Sequence, residues 1–348
     1  MKGKRGEVKG NLQTNRVPRF LLSSLSFHLS PFFHLSGPMS NEQKYRVTLA
    51  GFIITFSGAV LFSTKAIIVK LAFKHTDMNA LSLLALRMLF SLPFYLGAAW
   101  MAARSKDAVS LTGRQWTAVI FLGLFGYYLS SLFDFVGLQY VTAGLERLIL
   151  FLYPTFAVLI NALIFKQPVS RLQKIALLLT YAGVAFAYWG ELRIDMNNPY
   201  FLWGSFLIFL CSLTFAVYIA GSGKVIPKVG AARFTAYAML ASTGGVFIHF
   251  ALAGNMPAGG FSGIHWGYGL LLAIVATVLP SFMISGGMKR IGSSNVAIIS
   301  AIGPVSTIVQ AYFILDEPLF AEQIAGTALV IAGVLLIGWR QPKNAGTK

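Results

Sequence analysis

The chain has 348 residues, of which 56% are hydrophobic and only 11% charged. Soluble domains carry about 25% charged residues, so at a mean hydropathy of +0.69 this chain needs lipid as its solvent, which excludes the water-soluble globular classes. The net charge of +17 would suit nucleic acid, but it sits in the tails and between apolar segments, where lipid head groups and membrane orientation account for it.

Residues 1–44 are basic and then rich in Ser, Phe, His and Pro; the stretch FLLSSLSFHLSPFF is too polar and too broken by Pro31 to span a bilayer. They read as a disordered or interfacial segment. Met39 opens MSNEQKYR, a short polar lead directly ahead of the first span, and is an alternative translation start to Met1. Ten segments then reach the roughly 20 residues that cross a bilayer core, over about 46–73, 79–103, 116–138, 143–165, 171–190, 200–222, 232–253, 266–287, 294–315 and 321–339. The connections are short, so function must reside within the membrane. Cys211 stands alone inside an apolar run, and His28, His34, His75, His249 and His265 are scattered, a pattern that offers no zinc-binding spacing.

Orientation follows from Lys and Arg. With the N-terminus in the cytoplasm, sixteen bases after Met39 fall inside, from Lys44 and Arg46 through Arg104, Arg171 and Lys289 to Arg340 and Lys348, against Lys74 and Arg193 outside.

The chain also repeats itself. Pro154, Ile164, Pro168, Gln173, Leu179, Ala182, Gly183 and Val184 recur as Pro304, Ile314, Pro318, Gln323, Leu329, Ala332, Gly333 and Val334, at a constant offset of 150. Each copy reads as an apolar helix with a proline inside, a short turn closed by a second proline, and another apolar helix ending on Ala-Gly-Val. A five-helix unit is odd, so its second copy enters the membrane upside down. The turn chemistry agrees: Lys166, Gln167 and Pro168 in the first copy become Asp316, Glu317 and Pro318 in the second. The expected fold is therefore an all-α integral membrane protein, with one five-helix repeat over 45–190, a second over 199–340, and a cytoplasmic tail over 341–348.

LFSTKAIIVKLAF at Leu61–Phe73, ALRMLF around Arg87, GLQYVTAGLERLILFLYPTFAVL at Gly137–Leu159 and the two proline-turn-helix blocks together resemble the drug/metabolite transporter superfamily and, within it, the EamA-type ten-helix transporters. The likeness covers about Tyr45 to Arg340. It implies an inverted pair of five-helix bundles around a central cavity, working by alternating access and often exporting metabolites or drugs. Lys65 departs from the family's pattern, where a small or neutral polar residue is usual.

Charged side chains inside a bilayer cost about 2.5–3.5 kcal/mol each on the insertion scale, and so face a cavity or a partner. Five are expected here: Lys65, Arg87, Asp134, Glu146 and Arg147. Three bases against two acids leave one positive charge in excess. Lys65 reads either as a cavity ammonium for an anionic substrate group or as half of an ion pair with Asp134. Arg87 and Asp134 are counted with Lys65 among the substrate-binding candidates, although Arg87 reads first as structural, its long stem reaching toward head groups. Asp134, Glu146 and Arg147 form a candidate ion pair or proton relay. Tyr153, Asn161, Gln310 and Tyr218, which aligns with Lys65 in the second copy, are the neutral candidates for a cavity lining or for helix–helix hydrogen bonds. Pro154 and Pro304 are candidate hinges, and Gly183, Gly286, Gly287 and Gly333 are candidate sites of close helix packing.

The expected function is secondary active transport, with export of a small polar or amphipathic metabolite or drug across the plasma membrane. In a bacterium that is the inner membrane, with both termini cytoplasmic. Flipping of a lipid-linked group is an alternative on the same fold. An intramembrane enzyme is a remote one, since no Gly-Asp pair, His-Glu-x-x-His helix or nucleophile elbow is present. GSGK at Gly221–Lys224 lacks the flanking residues of a phosphate loop. No enzyme activity and no cofactor are expected; the partners are a small-molecule substrate, the lipid bilayer and a second copy in a homodimer, with no nucleic acid.

Overall fold

A computed structural model describes residues 48–104, 110–164, 166, 169, 171–194, 198–253, 256–257, 259–280, 283–284, 287, 290, 299–300 and 302–339. The leader 1–44, the tail 341–348, Pro168 and Gly286 lie outside the described residues, and so does the side chain of Asn161. Among the described residues every regular element is a helix: α1 Leu49–His75, α2 Ala80–Ala103, α3 Gly113–Gly123, a first π-helical segment Leu124–Leu129, α4 Ser130–Gly137, α5 Ala143–Leu150, α6 Tyr153–Leu163, α7 Arg171–Ile194, α8 Phe201–Val229, α9 Ala231–Ala253, α10 Gly263–Ala273, a second π-helical segment Ile274–Val278, α11 Gly303–Leu315 and α12 Ala321–Trp339.

Seven stretches are long and apolar enough to cross a membrane: Leu49–His75, Ala80–Ala103, Gly113–Gly137, Ala143–Ile160, Arg171–Glu191, Phe201–Ile226 and Arg233–Ala253. Gly263–Val278, Gly303–Leu315 and Ala321–Leu336 are shorter apolar helices. The chain is thus a multi-pass membrane protein turned inside out relative to a soluble one. Large apolar residues such as Leu49, Trp100, Leu178, Trp203, Leu252 and Phe313 are exposed, whereas Thr55, Ser63, Asp134, Glu146, Arg147 and Thr180 are buried.

Helix starts follow from capping chemistry. Thr48, Asn79, Thr112 and Thr142 each accept a backbone N–H of the first turn through the side chain, and Gln115 completes a capping box with Thr112. The proline that the sequence places inside one helix over 143–165 instead starts a new one. Helix α5 ends at Leu150, Phe151 and Leu152 form a turn, and Pro154 occupies the first turn of α6. Proline has no N–H to give the carbonyl four residues back and suits a first turn. That carbonyl, Leu150 O, accepts the Ser212 hydroxyl of α8 at 3.2 Å instead. Pro304 takes the same place at the start of α11.

Helix α7 packs along α12, α2 along α9, α1 against α11 and the second π-helical segment, and α8 against α4, α5, α6 and the first. The α7–α12 contact depends on absent side chains. A Cβ on Gly183 would lie 2.6 Å from Gly326 O, and one on Gly326 would lie 2.5 Å from Gly183 O. Gly333 lies in the same way against Ala176 O, and Gly287 against the Thr55 side chain.

Short connections make the helices alternate in direction, which leaves two chemically distinct ends. One gathers Asp77, Glu191, Asp316, Glu317 and Glu322 and is called the acidic end below; the other carries Arg104, Arg114, Lys166, Arg171, Lys174, Lys224, Lys228 and Arg233.

Candidate functional site: a buried charge cluster

Helix α1 carries Ser63 and Lys65 on its interior side, α4 carries Asp134, and α5 carries Glu146 and Arg147. The Lys65 ammonium lies 2.6 Å from Asp134 Oδ2 and 3.3 Å from Glu146 Oε1. All three are removed from solvent, with side-chain exposures of 13%, 2% and 0% respectively. One ammonium between two carboxylates is under-neutralised, and Asp134 Oδ1 and Glu146 Oε2 are buried with no hydrogen-bond partner. Removing the base from such a cluster strands carboxylates in low dielectric, which costs about 3–5 kcal/mol.

Arg147 follows Glu146 in sequence but points elsewhere. Its Nη2 donates to Ser63 Oγ at 3.3 Å, and its guanidinium lies 5.8 Å from the centre of the Phe62 ring and 5.9 Å from that of Phe151. Ser63 in turn donates to Gly303 O at 3.1 Å, so α1 and α5 are tied to the start of α11. Gly303 lies against this pair: a Cβ there would make ordinary van der Waals contact with Ser63 Oγ at 3.5 Å and Arg147 Nη2 at 3.6 Å.

Arg87 of α2 is set apart from this group. It donates from Nε to Thr277 Oγ1 at 3.3 Å and, at the outer limit of a hydrogen bond, from Nη1 to Ser131 Oγ at 3.5 Å. It also lies 5.6 Å from the centre of the Phe135 ring. Its guanidinium thus points into the bundle, where the sequence expects it to reach for head groups. Thr277 belongs to the second π-helical segment, and its hydroxyl also closes that segment by donating to Leu272 O at 3.0 Å. Such segments loosen helical register and concentrate at functional positions.

The neutral candidates are dispersed. Tyr218 is 1% exposed and donates to Tyr127 Oη at 3.2 Å; its ring lies where any side chain at Gly126 would stand. Tyr153 packs edge-on against Phe215 at 5.0 Å. Gln310 faces α1, with Nε2 donating to Ser306 Oγ at 2.8 Å and Val60 O at 3.4 Å. Asn161 lies on α6, near its end.

At the acidic end a second polar group joins the two halves of the chain. Glu317, in the connection before α12, accepts from Ala143 N at 2.9 and 3.0 Å and lies 3.9 Å from Lys70 Nζ. Lys70 also donates to Val141 O at 2.7 Å, and Thr142 donates to Glu191. Nearby, His265 meets Asp77 at 2.9 Å and His75 meets Tyr268 at 2.7 Å. Sequence reasoning passed over Lys70 and read Glu317 only as a turn charge. Lys70 lies five residues beyond Lys65 in the same apolar run, and its charge there was the available signal.

The family model described as EamA-like transporter family matches this chain twice, over residues 49–189 and 202–339. The chain is 29% identical over 309 residues to the uncharacterized transporter YcbK of Bacillus subtilis, covering 87% of this chain and 97% of that protein. An uncharacterized transporter of Archaeoglobus fulgidus is 24% identical, covering 81% of this chain and 94% of its own length. The uncharacterized transporter sll1319 of Synechocystis is 23% identical, covering 85% and 95%. One crystal structure of a protein superposes with a TM-score of 0.55 at 18% identity over 83% of this chain and 96% of that one, a likeness that speaks for the fold alone.

Proposed function

The chain belongs to the EamA-like transporter family, and from that premise we propose that it is a secondary transporter built from two inverted five-helix repeats, ten spans in all, that alternately open a central site to each side of the membrane. One observation carries the reading: local irregularities recur at the interval of the sequence repeat. The π-helical segments begin at Leu124 and Ile274, and the proline-led helices begin at Tyr153 and Gly303, in both cases 150 residues apart. The helices that hold the π-helical segments run in opposite directions. Helix α3 starts near α9, where Trp116 packs on Tyr237 at 4.8 Å, whereas α10 starts at the acidic end, where His265 meets Asp77. Inverted repeats exchange conformations to give alternating access.

Bases at one end and acids at the other favour cytoplasmic termini in a bacterial inner membrane, with the acidic end outside. The solute is small and polar or amphipathic, and the direction is export. Purified protein in proteoliposomes, loaded with candidate solutes and assayed by radiolabel counterflow, tests the reading. Expected is saturable exchange of at least one solute class; absence of exchange across a broad panel of anions, cations and neutral solutes, from protein that is folded and correctly inserted, overturns it.

A further inference from the structure

The interior bases differ in their partners. Lys65 touches both buried acids directly, and Arg147 donates to Ser63 between two aromatic rings. Arg87 touches neither acid. Among the described residues it has no carboxylate within 4.0 Å, and its only polar contacts are two hydroxyls at 3.3 and 3.5 Å, although guanidinium has five N–H donors.

Arg147 has no room for a ligand. It is 5% exposed, flanked by the rings of Phe62 and Phe151, and set against Gly303. Arg87 keeps partial exposure, although the residues its guanidinium touches include Phe135 at 0% and Thr277 at 3%. The Arg87 guanidinium is therefore held among interior residues. The group also lies between the halves: Ser131 and Phe135 come from one, and Thr277 comes from the π-helical segment of the other.

We propose that Arg87 is the anion-recognising residue of the translocation site, and that the solute is a small organic anion whose carboxylate or phosphate oxygens take the unused guanidinium donors. The inference rests on the transporter reading and names its substrate class. A planar fork of N–H groups matches either oxyanion bidentately. Lys65, held by two acids, serves the architecture of the site and does not receive the solute. An anion contacting both Arg87 and the second π-helical segment would draw the halves together around it, which is how a bound solute can bias an alternating-access equilibrium.

The experiment is counterflow in proteoliposomes with radiolabelled mono- and dicarboxylates and phosphate monoesters, each beside a neutral amide or alcohol and a cationic amine of similar size. Wild type is expected to exchange at least one anion about tenfold or more faster than its neutral counterpart. Arg87→Gln is expected to erase that preference, and Arg87→Lys to keep part of it, because the charge remains while the fork is lost. Preference for neutral or cationic solutes in wild type, or an anion preference unchanged in Arg87→Gln, overturns the proposal and leaves the transporter reading standing. No exchange of any class overturns the transporter reading, and this inference with it. If Arg87→Gln is not monodisperse in detergent, wild-type charge preference and the Arg87→Lys protein decide.

Discussion

Glu317 accepts the backbone N–H of Ala143 with both carboxylate oxygens, at 2.9 and 3.0 Å, across 174 residues of chain. Helix α5 is only eight residues long, so its N-terminus is a large part of it. A carboxylate there satisfies orphan donors and meets the positive end of the helix dipole. Because α5 carries Glu146 and Arg147, the connection before α12 is mechanically joined to the buried charges.

Glu317→Ala should therefore destabilise the protein by about 1–2 kcal/mol, the scale of a lost helix cap that is also charged. Glu317→Gln should recover part of this, since its amide oxygen still accepts. Thermal unfolding of both purified variants in detergent checks the order: wild type highest, Gln intermediate, Ala lowest. Equal midpoints for all three would mean that the contact contributes no stability.

Lys65→Met should cost more. It leaves Asp134 and Glu146 facing each other without their ammonium, a loss of about 3–5 kcal/mol for a stranded buried charge. Neutralising one acid in the same protein, as in Lys65→Met with Glu146→Gln, should recover much of the loss. A double-mutant cycle on unfolding midpoints measures the coupling; simple additivity of the two single changes would show that the ion cluster is not energetically joined.

Gly183 should tolerate no side chain, because a Cβ there would meet Gly326 O, a backbone atom that cannot move aside. Gly183→Val is expected to separate α7 from α12 and lower the yield of monodisperse protein severalfold, with a loss on the overpacking scale of about 1–3 kcal/mol. Gly97→Ala on α2 is the control. Nothing lies within 4 Å of its Cβ position, and alanine favours helix by up to about 1 kcal/mol. Size-exclusion profiles of the two variants, expressed side by side, decide between packing and a general intolerance of substitution.

Spanning helices and buried charges were legible in the sequence because each leaves a local trace. Apolar runs of spanning length admit few readings, and an ionised side chain in lipid is costly enough that Lys65 had to face a cavity or pair with Asp134; that Glu146 shares the same ammonium left no such trace. Other features have no such trace. A π-helical segment is a matter of backbone register, and Leu124–Leu129 has the same apolar character as the helices around it. The knot around Tyr218 depends on Gly126, 92 positions earlier, and Glu317 looks like an ordinary loop charge until α5 is placed against it. Pro154 was visible, but sequence alone could not distinguish a kink within one helix from the first turn of another.

That distinction leads to a further prediction. Before Pro154 the helix is interrupted at Phe151 and Leu152, between α5 and α6, and Leu150 O, left without an intrahelical donor, is satisfied by Ser212 of α8. Pro154→Ala restores an N–H at 154 that can reclaim Leu150 O and fuse α5 and α6 into one helix, while Ser212→Ala leaves the break in place and removes its partner. The two variants should therefore part company. Ser212→Ala is expected to lose about 1–2 kcal/mol from an unpaired buried carbonyl, with transport reduced only as far as stability is. Pro154→Ala is expected to unfold at or above the wild-type midpoint but to exchange solute about tenfold more slowly, because a straightened helix opposes the rearrangement that opens the site. Initial counterflow rates set against unfolding midpoints for both proteins separate these outcomes, and a Pro154→Ala protein that exchanges at the wild-type rate would remove the break from the mechanism.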